Sequence, residues 1–210
     1  MRVLAFDTSN YTTSVSVCSY DGRILANIKL PLPVKDGECG LRQSDAVFAH
    51  VKNLPEVVGS LREAIKGYRV LAVGCSTQPR NLKGSYMPCF LVGEGVARAV
   101  ATSLGVNLHT FSHQQGHIAA ALYSAGKTEL LNQKFLAFHV SGGTTEVLLC
   151  SRGGDGFDTE IIGGTAGIPA DWQEYIGDRI MQICIQCQYN RRVPKTCTEF
   201  TDRILAQIPT

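Results

Sequence analysis

The sequence predicts an α/β fold, and three of its features do so. Strand-like apolar runs open the chain at residues 2 to 7, 13 to 19 and 23 to 30. Between residues 14 and 17 serine alternates with valine, the period of a half-buried strand. Two later stretches, 45 to 66 and 91 to 105, carry apolar residues at helical spacing. The run "VLAVGCST" between those helices and "NLHTFS" after them read as strands, so the order is β-β-β-α-β-α-β, that of an α/β lobe.

Each element has a local reason. Asp21-Gly22 supplies the turn between the second and third strands. A loop with Pro31, Pro33 and Gly37 leads into residues 45 to 66. There Pro55 is expected to break or restart the helix, because proline has no N–H and its ring meets the carbonyl four residues back. A long loop, 76 to 95, joins the next strand to a helix that ends at Gly105. A second unit begins with the helix "GHIAAALYSA", continues through "FHVSGGTTEVLL" as strand, turn and strand, and closes on "DTEIIGGT". After Thr165 the period degrades; a helix near "EYIGDRIMQICI" is compatible with the residues, followed by a basic stretch containing cysteine.

At 210 residues the chain fits one large domain or two small lobes, and 44% hydrophobic residues supply a core. Twenty basic against eighteen acidic residues give a net charge of +2, which excludes a strong global field toward nucleic acid or membrane. The first residues enter a strand without the pattern of a signal peptide, and no apolar run approaches about eighteen residues. The expectation is a soluble cytoplasmic protein. Eight cysteines lie mostly in apolar contexts and read as small buried hydrophobes. Cys184 and Cys187, with Cys197 nearby, form a single C-x-x-C, a weak signal for zinc or redox chemistry.

Four stretches hold residues able to do chemistry. In "DTSNYTTS", Asp7 ends a strand and Thr8, Ser9, Thr12 and Thr13 crowd the turn. A carboxylate there can hold Mg²⁺ while hydroxyls and amides meet phosphate oxygens, or Asp7 can cap its own backbone in an Asx-type turn. In "HVSGGTTEVLL", Gly142 and Gly143 serve a tight turn, and Ser141, Thr144 and Thr145 add more hydroxyls than a turn requires. The second option is an anion cradle, and two such turns about 130 residues apart suit a nucleotide clamped between two lobes. His113 and His117 stand four apart, so on a helix they point the same way: two ligands of one divalent ion, or a helix start capped by Ser112 with two partly exposed imidazoles. In the long loop, Arg80, Lys83 and Ser85 can meet an anion and Gly93 and Gly95 let backbone approach a ligand, or the segment is a solvated connection.

Taken in order, "LAFDTSNYTTSVSV", "GSYMPCFLVGEGVARAVA", "SHQQGHIAAAL" and "HVSGGTTEVLL" resemble the threonylcarbamoyl-transferase family called TsaD, Gcp or Kae, formerly O-sialoglycoprotein endopeptidase. The match runs through residues 2 to 165, and the first motif is shared with the shorter TsaB-like partner subunit. The resemblance implies an actin/Hsp70/sugar-kinase (ASKHA, ribonuclease H-like) fold, with the first lobe complete and the second partial. It assigns residues 1–110 to the first lobe, 111–165 to the start of the second, and 166–210 to a divergent tail. It implies a transferase that moves a threonylcarbamoyl group from its adenylate to N6 of adenosine 37 in tRNA (t6A37). It also implies that His113 and His117 ligate iron or zinc. ATP or threonylcarbamoyl-AMP with Mg would lie at Asp7, Thr8, Ser9 and Thr12 on one side and Ser141, Gly142, Gly143 and Thr144 on the other. No catalytic residue is implied beyond these. The partners implied are the nucleotide, tRNA, and a TsaB-like subunit or a second copy meeting the first lobe; no membrane is implied.

The chain departs from the family at Asn10-Tyr11, where an acidic pair is usual, at Gln78-Pro79-Arg80, where Gly-Pro-Gly is usual, and at Thr144, where His is usual. These departures resemble a divergent paralogue of the kind found in Firmicutes. Full members are much longer, and the missing part holds the adenosine-side glycines and an Asp that is the third metal ligand. The expectation is therefore a truncated or frameshifted chain, with a metal site short of one ligand and a nucleotide site open on one side. The alternative is a non-catalytic TsaB-like scaffold. A metallopeptidase, as the older family name suggests, is disfavoured because H-E-x-x-H is missing.

Overall fold

The computed structural model describes residues 1–9, 11–34, 41–140, 144–154 and 156–166. Two compact units result: Met1–Ile118 with Gly153–Asp158, and Ala119–Arg152 with the described residues from Thr159 on.

The first unit is a five-stranded sheet in the order β3-β2-β1-β4-β5. Its strands are β1 (Arg2–Asp7), β2 (Thr12–Ser19), β3 (Ile24–Pro31), β4 (Val70–Gln78) and β5 (Asn107–Ser112). The first three form an antiparallel meander, and β1, β4 and β5 run parallel. Parallel pairs need crossovers, and these contain α1 (Gln43–Gly59) with the single turn α2 (Arg62–Ile65), then α3 (Phe90–Leu104). This mixed order is that of the expected ribonuclease H-like lobe of the actin/Hsp70/sugar-kinase class.

The register explains the core. Leu4 pairs with Val17 and Val73, and Phe6 with Val15 and Cys75, so residues two apart on three strands line one face. Leu54 and Val57 of α1, Leu61 after it, and Ala97 and Ala101 of α3 cover that face. A satellite cluster of Leu32, Ala46, Cys89 and Phe90 closes the end where α1 and α3 begin.

Pro55 does not break the helix, against expectation: α1 runs through it to Gly59. Pro55 and Val51, whose carbonyl loses its amide partner, are both exposed, so water can satisfy that carbonyl, while Leu54 and Val57 stay buried and hold the turn against the sheet. The expected Asp21-Gly22 turn is present, with Gly22 at φ +84, and Gly105 caps α3 at φ +63.

In the second unit, the helix α4 (His113–Ala125), which begins in the first unit, leads to a 3₁₀ turn at Thr128–Asn132. A three-stranded sheet follows, in the order β6-β7-β8 (Phe135–Val140, Thr144–Gly153, Gly156–Ala166). Strands β6 and β7 are the expected hairpin, closing with Val140 opposite Thr145. Ser141, Gly142, Gly143 and residues 167–210, including Cys184, Cys187 and Cys197, lie outside the described residues. None of the helices among the described residues is long and apolar enough to cross a membrane.

Candidate functional site

The carboxyl ends of the parallel strands β1, β4 and β5 deliver Asp7, Ser76 and, at the start of α4, His113 to one place. Such ends are where open α/β sheets hold their ligands. Asp7 Oδ1 accepts from the Ser9 amide at 2.7 Å, the Asx turn that was one of the two readings of this motif. Asp7 Oδ2 accepts from the Ser76 hydroxyl at 2.7 Å and faces His113 Nδ1 at 3.0 Å. Burial pushes the Asp7 pKa up, but the hydrogen bond and charge of His113, with Ser9 and Ser76, outweigh burial and hold the carboxyl well below the usual range.

His117 lies one turn along α4 from His113, its ring centroid 4.2 Å away and nearly perpendicular at 71°. The buried Phe90 ring of α3 packs against His113 at an interplanar angle of 63°, with centroids 6.3 Å apart. The start of α4 is set by a reciprocal cap: Ser112 Oγ accepts from the Gln115 amide, and Gln115 Oε1 accepts from the Ser112 amide at 2.7 Å. The Gln115 side-chain amide also donates to the carbonyl of Phe157. S-x-x-Q at 112 to 115 is a legible capping signature, and it was the Gln115 half that sequence reasoning passed over.

Thr8 is fully buried, and its hydroxyl sits between two backbone groups of α3. It donates to the Cys89 carbonyl at 2.8 Å and accepts from the Gly93 amide at 3.0 Å. A regular first turn would join that carbonyl and amide directly. Ser9 is buried, and its carbonyl accepts from the Thr12 amide, which closes the turn. Thr13 is drawn away from the turn into a buried group with His50 Nδ1 at 2.8 Å and Asn53 Nδ2 at 3.2 Å. In the long loop the Ser85 hydroxyl accepts from the Arg80 amide, and Lys83 is exposed. At the second expected phosphate turn the structure describes only the backbone of Thr144, as the first residue of β7.

Two imidazoles on one turn, one with Nδ1 held by a carboxylate, have the chemistry of two places in a divalent-metal ligand set. Among the described residues no group of three or more His, Cys, Asp and Glu is arranged to hold a metal ion. What sequence reasoning missed was Ser76. Only the parallel register of β1 and β4, with Phe6 beside Cys75, brings it next to Asp7.

The fold and this cluster define an actin/Hsp70/sugar-kinase-type lobe with a carboxylate-histidine site at the ends of its parallel strands. No family model matches the chain. A tRNA N6-adenosine threonylcarbamoyltransferase from Christiangramia forsetii is 29% identical over 166 residues, 79% of this chain and 46% of that protein. Proteins of the same name from Brucella canis and Methanopyrus kandleri are 31% identical over 162 residues and 29% over 153, covering 74% and 73% of this chain and 43% of each relative. The chain is thus a homologue of the tRNA N6-adenosine threonylcarbamoyltransferases, and it spans less than half the length of these curated relatives. Among solved structures, YeaZ from Pseudomonas aeruginosa is 17% identical, covering 80% of this chain and 68% of that one with a TM-score of 0.44. A ROK family glucokinase from Streptomyces griseus, in complex with glucose and AMPPNP, is 15% identical, covering 82% and 49% with a TM-score of 0.39.

Proposed function

We propose that this chain acts in the N6-threonylcarbamoylation of tRNA adenosine in the cytoplasm, as a transferase or as a paralogue that has lost the activity. One observation carries the reading: Asp7, Ser76, His113 and His117 meet at the strand ends of a lobe whose curated relatives bear that activity in their names. In this reading residues 1–110 are the first lobe, 111–165 open the second and 166–210 are a divergent tail. The residues that bind ATP or threonylcarbamoyl-AMP, with Mg, are Asp7, Thr8, Ser9 and Thr12 in the one motif and Ser141, Gly142, Gly143 and Thr144 in the other. Since the Thr8 hydroxyl is committed to α3, Thr8 serves its motif by shaping it. His113 and His117 would hold iron or zinc, which when bound supplies Lewis acidity toward the carbamoyl carbonyl. The exocyclic amine of adenosine attacks that carbonyl; the C–N bond forms, the bond to the adenylate phosphate oxygen breaks, and the amine loses a proton. The chain's own residues hold the acyl-adenylate in line for this attack and keep the imidazoles oriented.

The experiment is metal analysis of the purified chain together with ATP titration and a transfer assay on tRNA. Bound iron or zinc, ATP affinity and loss of transfer in His113→Ala without loss of folding are expected. Absence of both metal and ATP affinity would sink the enzyme reading. A second reading, a non-catalytic partner like the TsaB-like subunit, is favoured by α1. There Phe48 and Val51 are 73% and 55% exposed beside Pro55, an apolar side suited to another protein or a second copy.

A further inference from the structure

We propose that Asp7 and Ser76 act as a positioning pair for His113, fixing its imidazole with the proton on Nδ1 and the lone pair on Nε2. The inference rests on the reading of His113 as a ligand residue, and it moves Asp7 from the phosphate side of the site to the histidine side.

The geometry sets each proton. An ionised carboxylate only accepts. The Ser9 amide occupies Oδ1, and the Ser76 hydroxyl can only donate to Oδ2, at 2.7 Å. His113 Nδ1, 3.0 Å from the same oxygen, must therefore bring its hydrogen to the contact. A neutral imidazole with its hydrogen on Nδ1 has a lone pair on Nε2, the form that ligates a metal. The ring also packs against those of Phe90 and His117, which restricts its rotation.

The carboxylate is itself fixed from two chain-distant elements. Ser76 is 9% exposed and lies on β4, the middle strand of the parallel part of the sheet, where it pairs with Phe111 of β5, so its hydroxyl is presented by a strand held on its β5 side. The Asx turn to Ser9 locks the other oxygen. With three donors on two oxygens, Asp7 has little capacity left to hold Mg²⁺ through water, the role the motif suggested.

The test uses the full chain, metal-free, with ¹⁵N-labelled histidine, at a pH about two units above the ordinary imidazole value. Imidazole nitrogen shifts are read by long-range ¹H-¹⁵N NMR. His113 is expected as the Nδ1-protonated form in the wild type, as a mixture moving toward the Nε2-protonated form in Ser76→Ala, and fully moved in Asp7→Ala. Ser76→Thr, which restores the hydroxyl, should restore the wild-type pattern. Co²⁺ titration by visible absorption should weaken about 10- to 100-fold in Asp7→Ala. A wild-type His113 protonated on Nε2, or a tautomer unmoved by both Asp7→Ala and Ser76→Ala, overturns the positioning pair. The wild-type spectrum decides this even if a variant fails to fold. An Nδ1-protonated His113 in a chain that takes up no Co²⁺ supports the pair while refuting the metal reading, so the two failures are distinguishable.

Discussion

Gly93→Ala is a sharp probe of the join between β1 and α3. A Cβ at residue 93 would lie 2.7 Å from Thr8 Oγ1, closer than Cβ atoms approach their neighbours, and 3.2 Å from Thr8 Cγ2, a tight contact. Thr8 cannot yield easily, because it is β-branched, fully buried and hydrogen-bonded to both Cys89 and Gly93. Overpacking of this kind costs roughly 1–3 kcal/mol. Loss of one or both hydroxyl bonds adds about 0.5–1.5 kcal/mol each. Alanine recovers about 1 kcal/mol over glycine from helix propensity. The net is a destabilisation of about 0.5–5 kcal/mol, which at a urea slope of about 2 kcal/mol/M lowers the midpoint by roughly 0.3–2.5 M. Gly95 is the control: it sits in the same helix, a Cβ there meets nothing within 4 Å, and Gly95→Ala should stabilise by up to about 1 kcal/mol. The assay is urea unfolding followed by circular dichroism, with Thr8→Ala/Gly93→Ala to complete a cycle in which removing the threonine relieves most of the alanine's cost. A Gly93→Ala midpoint equal to or above that of the wild type would refute the inserted-hydroxyl contact.

Three further outcomes follow from the packing. Burial pushes the Cys75 and Cys150 thiols up to about 11, so iodoacetamide at about pH 8 should leave both unmodified in the native chain and label them only after denaturation, as read by peptide mass spectrometry. Burial lowers the His50 pKa, against a smaller opposing effect of the Asp7 charge, and its Nε2 has no partner among the described residues. The unfolded chain therefore binds the proton more readily. The stability His50 lends is complete above its ordinary value of 6.5 and is lost as pH falls below it, and His50→Asn should flatten the drop in urea midpoint between about pH 7.5 and 5. Phe90→Ala empties the centre of the satellite cluster and should cost about 3–5 kcal/mol in the same unfolding assay; a loss below about 1 kcal/mol would mean that the cluster is not packed as described.

Much of the first unit is legible in the residues themselves. Valine-serine alternation gives β2 its buried face, Asp21-Gly22 and Gly105 stand where positive φ is needed, and Ser112 caps α4. These are local effects, set by sterics and by hydrogen bonds that span a few residues. The pairing of His113 with His117 is equally local, because helical geometry puts residues four apart on one side. Pro55 was misjudged because its cost is local while the compensation, burial of Leu54 and Val57 against the sheet, is not.

The chemistry of the turn after β1 was beyond sequence reasoning for the same reason. A threonine hydroxyl or an aspartate carboxylate can serve a phosphate, a metal, a helix end or another side chain with equal ease. Thr8 took a helix 81 residues on, Thr13 a histidine 37 residues on, and Asp7 a serine and a histidine 69 and 106 residues on. The sequence by itself determined the alternating elements, their turns and caps, and the family likeness carried by its motifs. The tertiary structure alone decided which polar groups those motifs would satisfy. A buried donor or acceptor must find a partner, and only the parallel register of β1, β4 and β5 determines which partner is within reach.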